Sequence, residues 1–389
     1  MRLKSLFSIL SVVAVVNAES ISKTDYDVIV VGGGPSGLSA LSGLSRVRRT
    51  ALLFDNHQYR NAPTRAMHDV IGNDGTPPDA FRSLAREQIS KYPTAHFSNA
   101  TVTSIRPTGD GNVSVFSVAD STGKTHTARK IVLGTGMKDI LPDTPGIREA
   151  WGKGVFWCPW CDGYEHRDQP FGIIGSLADV LDSVLETNTQ FDDIIAFVNG
   201  TQTSQGEAAA THKHQGWEEQ LKAWNIQIEN RTIERIERTQ DGETHQNKTA
   251  DLQFDKFLVH FTEGKPIERS AFITNFPAVQ RSNLPEQMHL NVTDNKVIVN
   301  FNGMRTNETG VFAVGDANSD GSTNVPHAMF SGKRAAVYIQ VEMSSEESAF
   351  MVSKRNQLLT RRELEKEAVR AIGANLEPQW KQAQRKRLI

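Results

Sequence analysis

The chain has only two cysteines among 389 residues, and they stand three positions apart. A protein that used disulfides as staples would scatter several pairs over its loops. A bridge that closes so small a ring restricts the unfolded chain little. Zinc, which needs four ligands, finds no second pair. Redox chemistry at Cys158-Pro159-Trp160-Cys161 is therefore the main reading, with a structural staple as its rival. Long apolar runs are also missing: no stretch reaches the ~20 residues that a spanning helix needs. Charge of one sign is missing too. A net charge of −2 gives no reason to expect nucleic acid or a membrane surface as partner. No tandem repeat and no KDEL-like tail is found; the sequence closes on Arg387-Leu388-Ile389.

What is present describes a soluble globular protein, with 38% hydrophobic and 23% charged residues. At ~100–200 residues per domain, the length predicts two or three domains. The first residues read as a leader. Arg2 and Lys4 precede the apolar Leu6 to Val16, and Val16-Asn17-Ala18 predicts cleavage after Ala18. A buried N-terminal strand is the alternative. Seven Asn-x-Ser/Thr triplets, headed by Asn99, Asn112, Asn199, Asn230, Asn247, Asn291 and Asn307, agree with export.

The order of elements begins as strand Tyr26 to Val31, glycine turn, helix, and strand Ala51 to Phe54, a βαβ unit. A loop is expected at 58–80, a helix at 81–92, and strands over 98–135 with a hairpin near Asp110-Gly111. Pro142 to Pro145 reads as a linker. A second α/β stretch starts at Phe171 to Ile174, with a helix at 177–187 and a strand at 193–198. Residues 201–215 read as a polar surface loop. Strands follow at Val297 to Val299 and Val311 to Val314, then a helix at 327–343. Residues 344–389 read as one or two charged surface helices.

Gly32-x-Gly34-Pro35-Ser36-Gly37 carries a mechanism. The first glycine makes the tight turn, the second admits a pyrophosphate, and the third lets helix pack on strand, so that the positive end of the helix faces the phosphates. Asp55 follows 23 positions after Gly32, near the spacing of a carboxylate that grips a ribose hydroxyl. The alternative is a bare turn. The second motif is Cys158 to Cys161 followed by Asp162-Gly163. A CxxC pair opens and closes reversibly, and Asp162 could pass the proton or be an ordinary turn residue.

These motifs, with Gly134-Thr135-Gly136 and Val311-Phe-Ala-Val-Gly315-Asp316, resemble the low-molecular-weight thioredoxin reductase family over residues 24 to 342. The resemblance implies two Rossmann-like α/β domains, the second inserted in the first. The FAD domain would span 24–147 and 278–342, the inserted domain 148–277, and a charged extension 343–389. It implies FAD, with Gly32, Gly34 and Gly37 at the pyrophosphate, Asp55 at the adenosine ribose and Asp316 at the ribityl chain. Cys161 would face the flavin, Cys158 would meet the substrate thiol, and Asp162 would shuttle the proton. His327, at the start of the last helix, could help deprotonate the thiol or be structural. Trp157 and Trp160 line a thiol channel or simply pack. Arg65 and His68 fall in a loop near the flavin and receive no role.

One departure stands out. Where the family carries a second glycine turn for NADPH, this chain reads Gly175-Ser176-Leu177-Ala178-Asp179-Val180, and no basic cluster follows Phe197-Val198. NADPH use is therefore not expected. The chain looks closest to secreted fungal sulfhydryl oxidases, which pass electrons from small thiols such as glutathione to O₂ and give hydrogen peroxide. A homodimer is expected from the resemblance. The alternatives are an NADPH-dependent disulfide reductase, a dithiol oxidase closing a disulfide in a small metabolite, and a flavin-bound scaffold without turnover.

Overall fold

The computed structural model describes residues 23–108, 114–321 and 323–386. The leader at 1–18, the hairpin near Asp110-Gly111 and the sequon at Asn112 lie outside them.

The β-branched run Tyr26–Val31 forms β1, a strand buried on both faces as a central parallel strand must be. Pro35 then starts a helix, Pro35–Arg46, at once, because its fixed φ suits the first helical position and its missing N–H would be unpaired there anyway. The chain continues through β2 (Ala51–Phe54), β3 (Ala95–Ser98), β4 (Val102–Pro107), β5 (Phe116–Asp120) and β6 (Thr125–Leu133). The sheet order is β3-β2-β1-β6-β5-β4, and Val311–Ala313 adds a parallel strand beside β6. Crossovers return β2 and β3 in parallel with β1, the doubly wound pattern that puts ligands beyond the strand ends.

The chain leaves this unit at Met137–Asp139 and returns at Ala278–Gln280, and these two segments pair antiparallel. Between them lies a second parallel sheet, in spatial order Gln227–Glu229, Ile194–Phe197, Phe171–Ile174, Ala271–Thr274, Val155–Phe156. A three-stranded antiparallel sheet, Ile233–Gln240, Lys256–Phe261 and Ile267–Arg269, packs beside it. The first unit has its own apolar core around Val28, Leu41 and Ile131. The second buries Phe171, Val184 and Ala196 on one side of its sheet and Phe197, Phe257 and Phe272 on the other.

Three expectations are corrected. The helix placed at 81–92 runs Pro78–Ile89, started by Pro78 at its first turn. The stretch 201–215 is a helix, Ser204–Lys213, not a loop. Thr203 caps it by accepting a bond from the Gly206 N–H at 3.1 Å, and the run Glu207 to Ala210 supplies good helix formers. Finally, the charged C-terminal stretch is not a separate element: one helix runs Val325–Lys386. Its middle is tied to the first unit by ions. Glu346 and Glu347 lie 2.7 Å from Arg129, Glu347 lies 2.6 Å from Arg49, and Glu346 lies 2.5 Å from Lys130.

Lys130 is 1% exposed, so removing its nearest partner leaves a buried cation poorly compensated. Glu346→Ala should lower the stability to urea by about 3 kcal/mol, while Lys130→Met with Glu346→Leu should recover most of it. Equal stability of the single and double variants would mean that the unpaired Lys130 charge costs nothing.

Candidate active site

Where β1 and β6 end, their following loops touch. Gly32 has φ of +115°, and a Cβ on it would fall 2.1 Å from the Gly134 carbonyl oxygen. A Cβ on Gly37 would fall 1.9 Å from the Gly32 carbonyl oxygen, so the helix lies flush on the turn. Gly34 is different: nothing stands within 4 Å of its would-be Cβ, and it opens onto a cavity of about 1180 Å³. Gly32, Gly34, Pro35, Ser36, Gly134, Thr135, Gly136 and Asp316 line that cavity. Gly37 and Gly315 shape it from behind; the Gly315 N–H donates to the buried Ser331 hydroxyl at 2.8 Å.

Among the described residues, three buried polar atoms of the cavity lining have no partner: Thr135 Oγ1, Trp157 Nε1 and Gln280 Oε1. Unpaired groups of this kind are costly unless a ligand meets them. With the open Gly34 turn at a helix N-terminus, they fit a polar, anionic, aromatic-bearing cofactor. Asp316 pairs with Arg60 at 2.9 Å and takes the Lys296 ammonium on its carbonyl at 2.7 Å. Burial pushes its pKa up, against the pull of Arg60. Arg60 also pairs with Asp139 at 2.6 Å and lies over the Trp157 ring at 5.0 Å.

Asp55 does not stand on the cavity wall. It is 1% exposed and packs under Gly33, where a Cβ would fall 2.1 Å from its carboxyl carbon. Its oxygens accept from the Tyr59 hydroxyl at 2.7 and 2.9 Å, from Arg86 at 3.0 Å and from the His57 N–H at 2.9 Å. Burial, then the bond to Asp55, pushes the Tyr59 phenol up to about 12. Asp55 thus braces the turn from below, and Asn56 and Gln58 are the neighbours that reach the cavity.

Cys158 and Cys161 form a disulfide, S–S 2.05 Å, with Cys158 capping the short helix Pro159–Asp162. Both are half-buried. Trp157, before them, reaches the cavity and stacks on Trp151 with centroids 5.2 Å apart. Trp160 is exposed. Asp162 accepts a short hydrogen bond from the Thr64 hydroxyl. Its surface is partly open, yet desolvation dominates and pushes its pKa up to about 6. Thr64 opposes that shift and Glu165 adds to it. Behind it, His68 Nδ1 lies 3.4 Å from Glu165 and 3.5 Å from Asp74. His166, 2% exposed, sets Nδ1 3.1 Å from the Asp162 carbonyl and Nε2 3.1 Å from Asp255.

His327 is not among the cavity-lining residues. It is exposed on the first turn of the long helix, off the cavity wall, and its N–H bonds Asn324 at 3.0 Å. Asn324 and Val325 face the cavity instead. Sequence reasoning missed Thr64, Arg60 and Asp255; no local motif marks them, because each acts across more than 70 positions of chain.

The second turn differs from the first: Gly175 also opens onto free space, but its next residues are engaged by the protein. Leu177 and Val180 are 2% and 1% exposed and point into the core of the second unit. The Leu177 N–H donates to Thr201 Oγ1 at 3.0 Å. Asp179 accepts from Ser176 at 2.6 Å and from Lys213 at 2.7 Å. The helix Ser204–Lys213 thereby covers the turn.

A family model, pyridine nucleotide-disulphide oxidoreductase, matches residues 26–332. The chain belongs to that family. A probable thioredoxin reductase of Arthroderma benhamiae is 52% identical over 90% of this chain and 89% of its own length. Thioredoxin reductase tcpT of Claviceps purpurea is 28% identical over 84% and 98%. Among solved structures, a putative thioredoxin reductase TrxB of Bacillus anthracis superposes with a TM-score of 0.71 at 28% identity, covering 83% of this chain and 99% of that one. HlmI gives 0.73 at 27%, covering 86% and 97%. The protein is thus an oxidoreductase of the thioredoxin-reductase type, with two Rossmann-type sheets and FAD as its cofactor.

Asp162 yields a pH test. Its folded pKa lies above the ordinary carboxyl value, so its contribution to stability is full below about pH 4 and is lost as pH rises through about 6. Asp162→Asn should therefore gain stability over the native chain as pH rises from 4 to 8, by up to about 3 kcal/mol. Its dithiol turnover should fall about 10²–10⁴-fold and lose the limb near pH 6. Urea unfolding across that range and a pH–rate profile check both; a flat difference in stability would contradict the raised pKa.

Proposed function

We propose that this protein is a secreted, FAD-dependent sulfhydryl oxidase that turns small thiols such as glutathione into disulfides, with O₂ as acceptor and hydrogen peroxide as product. The second turn carries the reading. A pyridine nucleotide needs free N–H groups and room at that helix start. Here the Leu177 N–H is bonded to Thr201, and the turn carries the Asp179 carboxylate, held by Ser176 and Lys213.

Bound FAD supplies two-electron acceptance from a thiolate and onward delivery to the acceptor. Gly34, Pro35 and Ser36 would hold its pyrophosphate, Asp316 its ribityl chain, and Thr135, Trp157 and Gln280 offer it free polar atoms. The chain's own residues do the thiol chemistry. A substrate thiolate attacks the Cys158 sulfur; that S–S bond forms, the Cys158–Cys161 bond breaks, and Cys161 leaves as thiolate. A second thiolate attacks the substrate sulfur and frees Cys158. Asp162, poised near pH 6, takes up a thiol proton. The Cys158–Cys161 bond would form again as the pair gives two electrons to FAD and on to O₂, so that two thiols and one O₂ yield one disulfide and one hydrogen peroxide.

Export is supported by the leader pattern of residues 2–18 and by the exposure of Asn99, Asn199, Asn247, Asn291 and Asn307. A homodimer is consistent with the exposed Phe330, Val337 and Val341 on the long helix.

The names of the relatives favour a second reading, an NADPH-dependent thioredoxin or disulfide reductase. Oxygen electrode traces separate the two. Glutathione should drive oxygen uptake and peroxide formation that NADPH does not, and Cys161→Ser should abolish both. Rapid flavin bleaching by NADPH would overturn the oxidase reading in favour of the reductase. A strong preference for another dithiol over glutathione would redirect it to a metabolite-specific dithiol oxidase.

A further inference from the structure

Residues 60–65 run from the cavity wall to the back of the dithiol helix. Arg60 and Asn61 line the cavity. A few positions on, the Thr64 hydroxyl holds Asp162. Its backbone is pressed against the second unit: a Cβ on Gly152 would fall 2.9 Å from the Thr64 nitrogen.

Arg65 reaches further into that unit. Its guanidinium donates to both oxygens of Asp255 at 2.9 and 3.0 Å, to Asp241 at 2.5 Å and to Gln253 at 2.6 Å. Asp255 is fully buried and also accepts from the Gly242 N–H at 2.9 Å, with Arg238 at 3.8 Å. His166 bridges this carboxylate to the Asp162 carbonyl, 3.1 Å on each side. The chain of contacts therefore runs from the cavity loop through Arg65, Asp255 and His166 to the residue beside Cys161.

We propose that Thr64-Arg65 is the positioning element of the dithiol: Thr64 fixes the Asp162 side chain, and Arg65, through Asp255 and His166, fixes its backbone. One loop thus forms part of the cofactor cavity and grips the CxxC turn on two sides. The inference rests on Cys158–Cys161 being the redox pair, and it is independent of whether O₂ or a pyridine nucleotide is the far partner. Stability alone does not account for such a device. A buried ion pair offsets little more than its own desolvation, whereas its fixed fork geometry specifies orientation. Lysine cannot reproduce that fork.

The experiment uses the FAD-loaded full chain and the variants Arg65→Ala, Arg65→Lys and Thr64→Val. Hydrogen exchange reads the amides of 158–166, and anaerobic flavin bleaching by dithiothreitol reads the dithiol. In Arg65→Ala, exchange over 158–166 should rise about tenfold or more while that of β1 stays unchanged. Bleaching should slow about 10–100-fold at saturating dithiothreitol, with the half-saturating concentration within about twofold of native. Arg65→Lys should fall between, guanidinium ion should partly restore Arg65→Ala, and Thr64→Val should slow bleaching with unchanged exchange over 241–255. Native exchange and bleaching in both Arg65→Ala and Thr64→Val would overturn the proposal. So would loss of protection throughout the chain in Arg65→Lys, which would make the pair merely structural. A native chain bleached by dithiothreitol that consumes no oxygen would sink the oxidase reading and leave this inference standing.

Discussion

The architecture of the site depends on a backbone crossing that has no room for a side chain. Gly32 and Gly134 close the ends of two adjacent parallel strands, and any Cβ at Gly32 would overlap the Gly134 carbonyl. The contact brings the start of the first helix to the strand ends, with its free N–H groups and positive dipole end turned to the cavity. Asp55 completes the arrangement from below. Its carboxylate fills the space under Gly33, braced by Tyr59 and Arg86. A negative charge under a pyrophosphate turn would repel the ligand were it not matched there by Arg86 and by the phenol hydroxyl.

The second unit repeats the topology with the opposite chemistry. Its sheet is parallel and buried, and a glycine, Gly175, still stands at the strand end. Two positions later the chain turns apolar side chains inward, and Leu177 and Val180 become part of the core. The Leu177 N–H is spent on Thr201, and the helix Ser204–Lys213 is pinned over the turn by Lys213, which pairs with both Asp179 and Asp182. Packing has replaced ligand contacts as what stabilises this helix start. The same sheet can therefore carry differently dressed turns, which is why function is argued from the site and not from the sheet.

Much of the fold was legible because it rests on local signals. Gly32-x-Gly34-x-x-Gly37 after a β-branched run, and Pro35 at the helix start, announce a βαβ unit within one window. The dithiol was legible because two cysteines in 389 residues have nowhere else to be. The illegible parts are those decided by distant partners. Nothing within residues 201–215 shows that Lys213 will find Asp179 and Asp182, so the segment reads as polar loop. The charges from 344 onward read as surface, yet Arg49, Arg129 and Lys130 claim Glu346 and Glu347, and one helix runs past its expected end. Asp55 has the spacing of a ribose ligand, but spacing cannot show that Tyr59 and Arg86 occupy its oxygens. His327 has the right place in sequence, yet its side chain leaves the helix on the solvent side.

Two carboxylates on either side of the CxxC turn show how the site separates structure from chemistry. Asp255 and Asp162 both lose water, and desolvation alone would push both pKa values up. Asp255 instead is held far below the ordinary range, because His166, Arg65 and the Gly242 N–H all favour its charge. Asp162 receives one hydroxyl, from Thr64, and stands near Glu165, so desolvation wins and the group titrates at about 6. The first is therefore a fixed charge at any pH where the protein works, suited to anchoring a cationic network. The second changes protonation close to neutrality, suited to exchanging a proton with a thiol. His166 touches both: its ring joins the Asp255 carboxylate to the Asp162 backbone carbonyl, leaving the Asp162 side chain out of the ionic network. Were that ring to donate to the Asp162 carboxylate instead, the acid would be held charged and would no longer change protonation near neutrality.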